Sequence, residues 1–380
     1  MITLRRFLTW LPAVTLFLCS CDTPPDPSPN YREYAYVTNG GSNTVTVVDL
    51  RLLRILTTVP VGRGPTGVAV NPRRNEIYVA NTDSNNISVI DAETNKVVSV
   101  IGVQRAPFFV EVSADGRRLY VANSGSANLS VIDVQTRRVL RTVTVGNGSS
   151  LARLTPDGKL AVVSLRDEDS IALVDTDSLS VTARIKACTK PGELAILKDS
   201  SKVFVTCSAA KQVAVIDLKQ KQLLTQLDVG QTPIDITLKP DGGEVFVCNF
   251  DSSSVSEIST GSNEVSGSFL IGDRPVRALV SPDNSLLFVT NFGSDNVAVY
   301  AIDNGRLLFS TPVGSHPEAM IFSPNQLYLL VVNTTSGDLA VLDLTDRKGR
   351  PRTGPPIIET MVPLGKNPRA IAVKAFVNQK

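Results

Sequence analysis

Short apolar runs rich in valine and isoleucine alternate along the chain with polar clusters of Gly, Pro, Asn, Asp and Ser, the patterning of strands and turns. One such run, Leu119-Tyr120-Val121-Ala122-Asn123, returns with a fixed step. Its Tyr120 slot is filled by Tyr36, Tyr78, Tyr120, Val162, Phe204, Phe246, Phe288 and Leu330, each 42 residues after the last, so the chain holds eight copies of one unit. A β-rich repeat of this period reads as one blade of a propeller, and the expectation is an all-β ring of eight blades.

In the unit that begins at Pro107, alternation at Val110 and Val112 predicts a first strand. The turn Ser113-Ala114-Asp115-Gly116 leads to a second strand over Arg118 to Asn123, a third over Asn128 to Asp133 and a fourth from about Arg138 to Val145. Sister repeats place proline in that turn, as in Thr155-Pro156-Asp157-Gly158 and Lys239-Pro240-Asp241-Gly242, where it presets the first corner. Strands apolar at nearly every position suit a sheet covered on both faces. The recurring Asp49, Asp91, Asp133, Asp175, Asp217 and Asp343 are expected to bond the backbone of the following turn, and Asn39, Asn81, Asn123, Asn249, Asn291 and Asn333 to tie loop backbone. The chain starts at a second strand, Tyr34 to Asn39, while the matching first-strand pattern, Pro368 to Val373, comes last. The final strand must therefore complete the first blade and hide the ring's open edges.

The Gly-x-x-Pro turn, the Pro-Asp-Gly turn, the Tyr-Val-x-Asn strand and the Val-Ile-Asp strand recur over residues 34 to 376. In these motifs the chain resembles the YVTN β-propeller family, which includes surface-layer-type and lactonase-like propellers. Members are commonly seven-bladed, so the resemblance implies a seven-bladed alternative where the repeat count implies eight. Its lactonase-like members imply, by analogy of fold alone, a hydrolase.

Charge and the N-terminus change the picture outside the ring. The 38 Lys and Arg nearly balance 36 Asp and Glu with no long single-sign run, which gives no footprint for nucleic acid. Arg5 and Arg6 precede an apolar stretch, Phe7 to Leu18, placed like a secretory signal, and Leu18-Cys19-Ser20-Cys21 resembles a bacterial lipobox with Cys21 as the acylated residue. Residues 1–20 then read as a signal peptide, 21–30 as a proline-rich tether and 31–380 as one propeller domain. An ordinary cleaved signal is the alternative. Acyl chains would anchor the protein in a bacterial envelope membrane, facing the periplasm or the exterior, and Asp22 resembles the enterobacterial signal for inner-membrane retention. Nine extra residues between Leu344 and Pro368 carry the basic run Arg347-Lys348-Gly349-Arg350-Pro351-Arg352, a solvated loop or a contact for anionic lipid or an acidic partner.

Cys188 stands where sister repeats end a fourth strand with glycine, and Cys207 where they end a second strand with asparagine. Both slots fall on one rim, so the two suggest a disulfide in an oxidising compartment, two free thiols being the alternative. Cys248 reads as a small buried hydrophobe.

First strands line a propeller's channel, and polar residues there are the informative ones. Equivalent slots pair Glu111 with Arg153, Asp235 with Arg277 and Glu318 with Arg369, each an acid followed by an arginine one blade on. These read as salt bridges pinning blade to blade, or as a charged funnel for a small polar ligand. Glu193 and Asp235 share one slot in adjacent blades and could hold a divalent cation such as calcium. The sole histidine, His316, sits at the channel rim, so no histidine cluster can form, and phosphate-loop, Gly-x-Ser-x-Gly and CxxC motifs are absent. The sequence thus points to an envelope-anchored binding or interaction platform for a protein, glycan or small polar ligand. A lactonase-like or metal-assisted hydrolase at the channel mouth, or a surface-layer-like structural protein, are the alternatives.

Overall fold

The computed structural model describes residues 30–346, 350 and 352–378, in which eight four-stranded antiparallel sheets form a ring. The count is eight, as the repeat implies, and not the seven usual in the resembling family. The third blade is typical, with strands Pro107–Val112, Arg118–Asn123, Asn128–Asp133 and Arg138–Thr144. First strands of neighbouring blades pack against each other around the axis. Second and third strands are buried, whereas Arg138–Thr144 exposes every residue but Val143. The core is therefore a set of wedges between blades. In one of them Tyr120, Leu129 and Val131 of the third blade meet Ala161, Val163 and Val174 of the fourth.

Closure uses a longer strand pair than the sequence pattern suggests. Tyr31–Asn39 pairs antiparallel with Pro368–Val377, with Tyr34 opposite Lys374 and Val37 opposite Ile371. Tyr34 also stacks edge-on against Phe376, ring centroids 5.6 Å apart. The ends of the ring are thus held by both a ladder and a hydrophobic contact.

The repeated polar residues have distinct jobs. Asp49, Asp91, Asp133, Asp175, Asp217 and Asp343 each accept backbone N–H bonds from the turn that follows, for example from Arg51 at 2.9 Å and Ser178 at 2.8 Å. Of the asparagines, Asn39 ties loop backbone as expected, accepting the N–H of Gly365 at 3.1 Å, and others differ. Asn81, Asn123 and Asn249 donate to side chains of the neighbouring third strand, such as Ser88, Ser130 and Ser256 at 2.9 Å, rather than to loop backbone. At Asn81 and Asn249 a glycine of the neighbouring loop packs against the amide: a Cβ on Gly62 would lie 2.6 Å from the Asn81 amide carbon, and one on Gly230 2.7 Å from that of Asn249.

That contact explains the cysteines. Cys188 and Cys207 occupy the glycine and asparagine slots of one such contact, and in the structure they are joined as a disulfide with Cα atoms 5.6 Å apart. At five other corners an asparagine amide packs on a glycine, as Asn81 does on Gly62 and Asn291 on Gly272. Cys248 is buried and free.

Cys21, Asp22 and the signal and tether up to residue 29 lie outside the described residues, as do three residues of the basic run, Arg347-Lys348-Gly349, and Pro351. Among the described residues no helix is long and apolar enough to cross a membrane.

Candidate functional site: the channel and its rim

Each first strand carries a bulge just after its opening residue, seen as a register shift between Pro191 and Leu194, Pro233 and Asp235, and Pro275 and Arg277. A bulge bends the strand and re-aims the side chains next to it. Here these include Glu193, Asp235 and Arg277. Around the axis lies a cavity of about 830 Å³ with two unlike walls. Glu111, Arg153, Glu193 and Arg277 line one side, and Val68, Ala69, Ala319, Met320 and Ile371 line the other.

The charged wall is a chain of ion pairs. Arg153 lies 3.4 Å from Glu111 and 3.6 Å from Glu193, and Arg277 lies 3.9 Å from Glu193 and 2.5 Å from Asp235. The two end carboxylates also take a backbone N–H from the next blade, Glu111 from Leu154 and Asp235 from Ala278, both at 2.8 Å. Each therefore staples one blade to its neighbour. Glu193 has only the two longer contacts. The Arg153 guanidinium further rests on the Phe109 ring, 4.7 Å from its centroid, a cation–π contact.

Burial sets the electrostatics. It pushes the carboxyls of Glu111 and Asp235 above their ordinary range, against the pull of Arg153 and Arg277 respectively. Arg277 is held still more firmly in its charged form by Asp235. A thiol beside this pair, Cys248, is pushed well up by burial and is not a nucleophile at neutral pH.

The expected pair of Glu318 with Arg369 is not formed. Both line the channel, but among the described residues no ion pair joins them, and Glu318 instead accepts a hydrogen bond from Thr334 at 2.9 Å. Their slot lies at the outermost turn of the first strand, where the bulge separates it from the register shared by deeper pairs. The carboxylates of Glu193 and Asp235 do face one region, with Arg277 between them. No cluster of three metal-ligating side chains occurs among the described residues.

His316 sits on the rim in a row that slot-by-slot reading of the first strands missed. Its ring stacks on Phe292, centroids 4.0 Å apart and planes 6° apart. Phe292 in turn meets Phe250 at 6.1 Å, and Arg274 lies over Phe250 at 5.6 Å. The row crosses three blades. Its signal was present in the second-strand exits, where Phe250 and Phe292 replace the Gly40, Thr82 and Ser124 of sister repeats. Rim loops are pinned from one blade to the next: Asn43 accepts from the Gly64 N–H, Asn85 from Ala106 and Asp295 from His316, at 2.9, 2.9 and 2.8 Å.

With ring, channel and rim in view, the comparisons place the fold. A model of YNCE-like beta-propellers matches residues 37–157 and 110–239, together more than half of the chain. The protein belongs to the YNCE-like β-propeller family. A second model, for seven-bladed lactonase propellers, matches residues 272–358 of this YNCE-like chain. No curated protein sequence matches it. Among solved structures, Kuenenia stuttgartiensis hydrazine synthase is similar at a TM-score of 0.61 and 20% identity, covering 74% of this chain and 95% of that one. The dihydro-heme d1 dehydrogenase NirN in complex with DHE gives 0.74 at 15% identity, covering 89% and 74%. A functionally unknown protein from Desulfotomaculum acetoxidans gives 0.59 at 14%, covering 73% and 95%. Likeness at these identities speaks for the YNCE-like fold alone.

Proposed function

We propose that the protein is an envelope-anchored lipoprotein whose eight-bladed ring is a rigid binding platform, presenting the rim of the sixth to eighth blades to a protein, glycan or small polar ligand. The observation that carries this reading is the row Arg274, Phe250, Phe292 and His316. Arg274 and His316 occupy a slot where every blade turns its backbone to positive φ, 53° and 55° here, and where two sister blades use Gly64 and Gly148 and four use Ala106, Lys190, Thr232 and Asn367. A side chain in that conformation costs about 1 kcal/mol relative to glycine. Two large side chains are nonetheless held there, on loops tied to the neighbouring blade, so little freedom remains to be lost on binding. The tether enters the ring at Tyr31, the end of its strand opposite the second-strand exits, so lipid on Cys21 would hold the row on the face turned away from the point of attachment. The test is native-gel migration of the full-length protein extracted from its own membranes. The reading expects a larger complex that the triple variant Phe250→Ser, Phe292→Thr, His316→Gly loses while its melting temperature holds. Migration unchanged by the triple variant would overturn it.

A second reading, a metal-assisted hydrolase at the channel mouth using Glu193 and Asp235, draws its support from the lactonase model over residues 272–358. It asks a divalent cation such as calcium to displace arginine from carboxylates already in ion pairs. A calcium-dependent rise in melting temperature that Glu193→Gln abolishes would bring this reading forward, and a melt unmoved by calcium would dismiss it.

A further inference from the structure

Each wedge between blades serves as a control for the others, and one of them is built differently. Between the third and fourth blades Arg118 reaches across to the carbonyl of Thr176, and between the fifth and sixth Lys202 reaches that of Thr260 at 2.9 Å. The same two slots hold Leu286 and Leu344 between the seventh and eighth blades, as they hold Leu160 and Leu218 between the fourth and fifth. What sets the seventh–eighth wedge apart is the segment inserted into the eighth repeat. The Leu344 carbonyl accepts the N–H of Arg352, at 2.8 Å, from that segment.

Other residues of this wedge depart from the repeat in the same direction. Phe309 stands where sister fourth strands carry Thr57, Ser99, Arg141, Ala183, Thr225, Gly267 or Thr360, and Phe322 where first strands end in valine, leucine or isoleucine. Phe322 packs edge-on to Phe288, centroids 5.5 Å apart. Arg352, Gly354 and Pro356 line the same space, and Thr311 donates to the carbonyl of Pro356 at 3.3 Å. The result is a pocket of about 350 Å³ walled by Leu286, Phe288, Phe309, Phe322 and Leu344, with Arg352 and Asp283 both among its lining residues. Arg352 pairs through Nη2 with Asp343 at 3.2 Å, but its Nε–H is buried with no acceptor among the described residues.

An apolar chamber with one unanswered donor is the usual form of a small-molecule site. We infer that this wedge binds an apolar acid, an aromatic or medium-chain carboxylate, with its hydrocarbon between the phenylalanines and its carboxylate on the Arg352 Nε–H. A buried donor left without a partner is destabilising, and a charged acceptor satisfies it more strongly than a neutral one.

The experiment is a fluorescence titration of the full-length protein with 2-naphthoate. One saturable site per chain is expected. Phe309→Thr, which installs the residue of three sister blades, should weaken binding at least tenfold by removing a wall. Arg352→Met, with circular dichroism to confirm that the ring is intact, should weaken it by a similar factor. Absence of saturable binding to wild type would overturn the proposal, as would Phe309→Thr binding like wild type. Loss of binding in Phe309→Thr with full binding in Arg352→Met would overturn the assignment of an acid.

Discussion

The channel wall and the rim of the last blades both depart from the repeat, but they do so in opposite ways. In the channel wall each departure is answered by another one blade away: Glu111 by Arg153, Asp235 by Arg277. The disulfide is the same device at a corner, Cys188 answered by Cys207. On the rim, Phe250, Phe292 and His316 lie side by side, half-buried, joined by ring contacts and by one hydrogen bond between His316 and Thr335 at 2.6 Å, with no charge pair or covalent link among them. In a repeat protein, where every blade shows what the fold itself needs, paired charges and a cross-link hold the ring together, and a row of rings on the rim is the face we propose for a partner.

The comparison can be broken most severely in the channel. Arg277→Met leaves Asp235 buried without its countercharge and should cost about 3–5 kcal/mol. Adding Asp235→Leu to that variant should restore most of the loss. Urea denaturation of the two variants checks this, and equal stability of the single and double changes would mean the pair is not a unit. Next in size, Cys207→Ala should cost about 3 kcal/mol through the lost cross-link. Replacing both cysteines by their sister residues, Cys188→Gly with Cys207→Asn, should cost less than the single change, because the amide-on-glycine contact of the other corners can form. Melts with and without reductant separate the two effects.

A smaller effect concerns pH. Burial raises the Glu111 and Asp235 carboxyls in the folded state, so the folded protein keeps these protons over a window where the unfolded chain has released them. Stability contributed by these groups is then present at acid pH and falls as pH rises from the ordinary carboxylate range, about 4, through the folded values. Glu111→Gln should flatten that fall in a series of urea melts, and a slope identical to wild type would show that burial is not felt at this site. Smallest of all, Phe292→Thr and His316→Gly should change stability by about 1 kcal/mol or less, since both side chains are only half-buried and glycine at 316 recovers the cost of positive φ while losing the contacts with Phe292 and Thr335. A loss as large as that of Arg277→Met would place the rim row with the structural pins.

Most of the ring was legible because its period is fixed. Strand order, blade count and closure by Pro368 onward all follow from the 42-residue step, and so does the suspicion attached to Cys188 and Cys207. The candidate site was legible only where partners sit at equal depth. Arg153 also reaches Glu193, two positions away from its own slot, because a long guanidinium arm spans a distance that slot matching ignores. Glu318 and Arg369 misled for the converse reason: equal slots at the outermost turn, beyond the bulge, do not meet. The rim row escaped because its members come from two kinds of loop, the second-strand exits of Phe250 and Phe292 and the first-strand approaches of Arg274 and His316. No single repeat position contains it.

The most direct test is a scan with a photo-crosslinking amino acid in living cells at the eight equivalent second-strand exits, Gly40, Thr82, Ser124, Arg166, Ser208, Phe250, Phe292 and Thr334. The account predicts adducts concentrated at 250 and 292, falling away around the ring. Adducts spread evenly over all eight positions, or gathered at 40, 82 and 124, would contradict it.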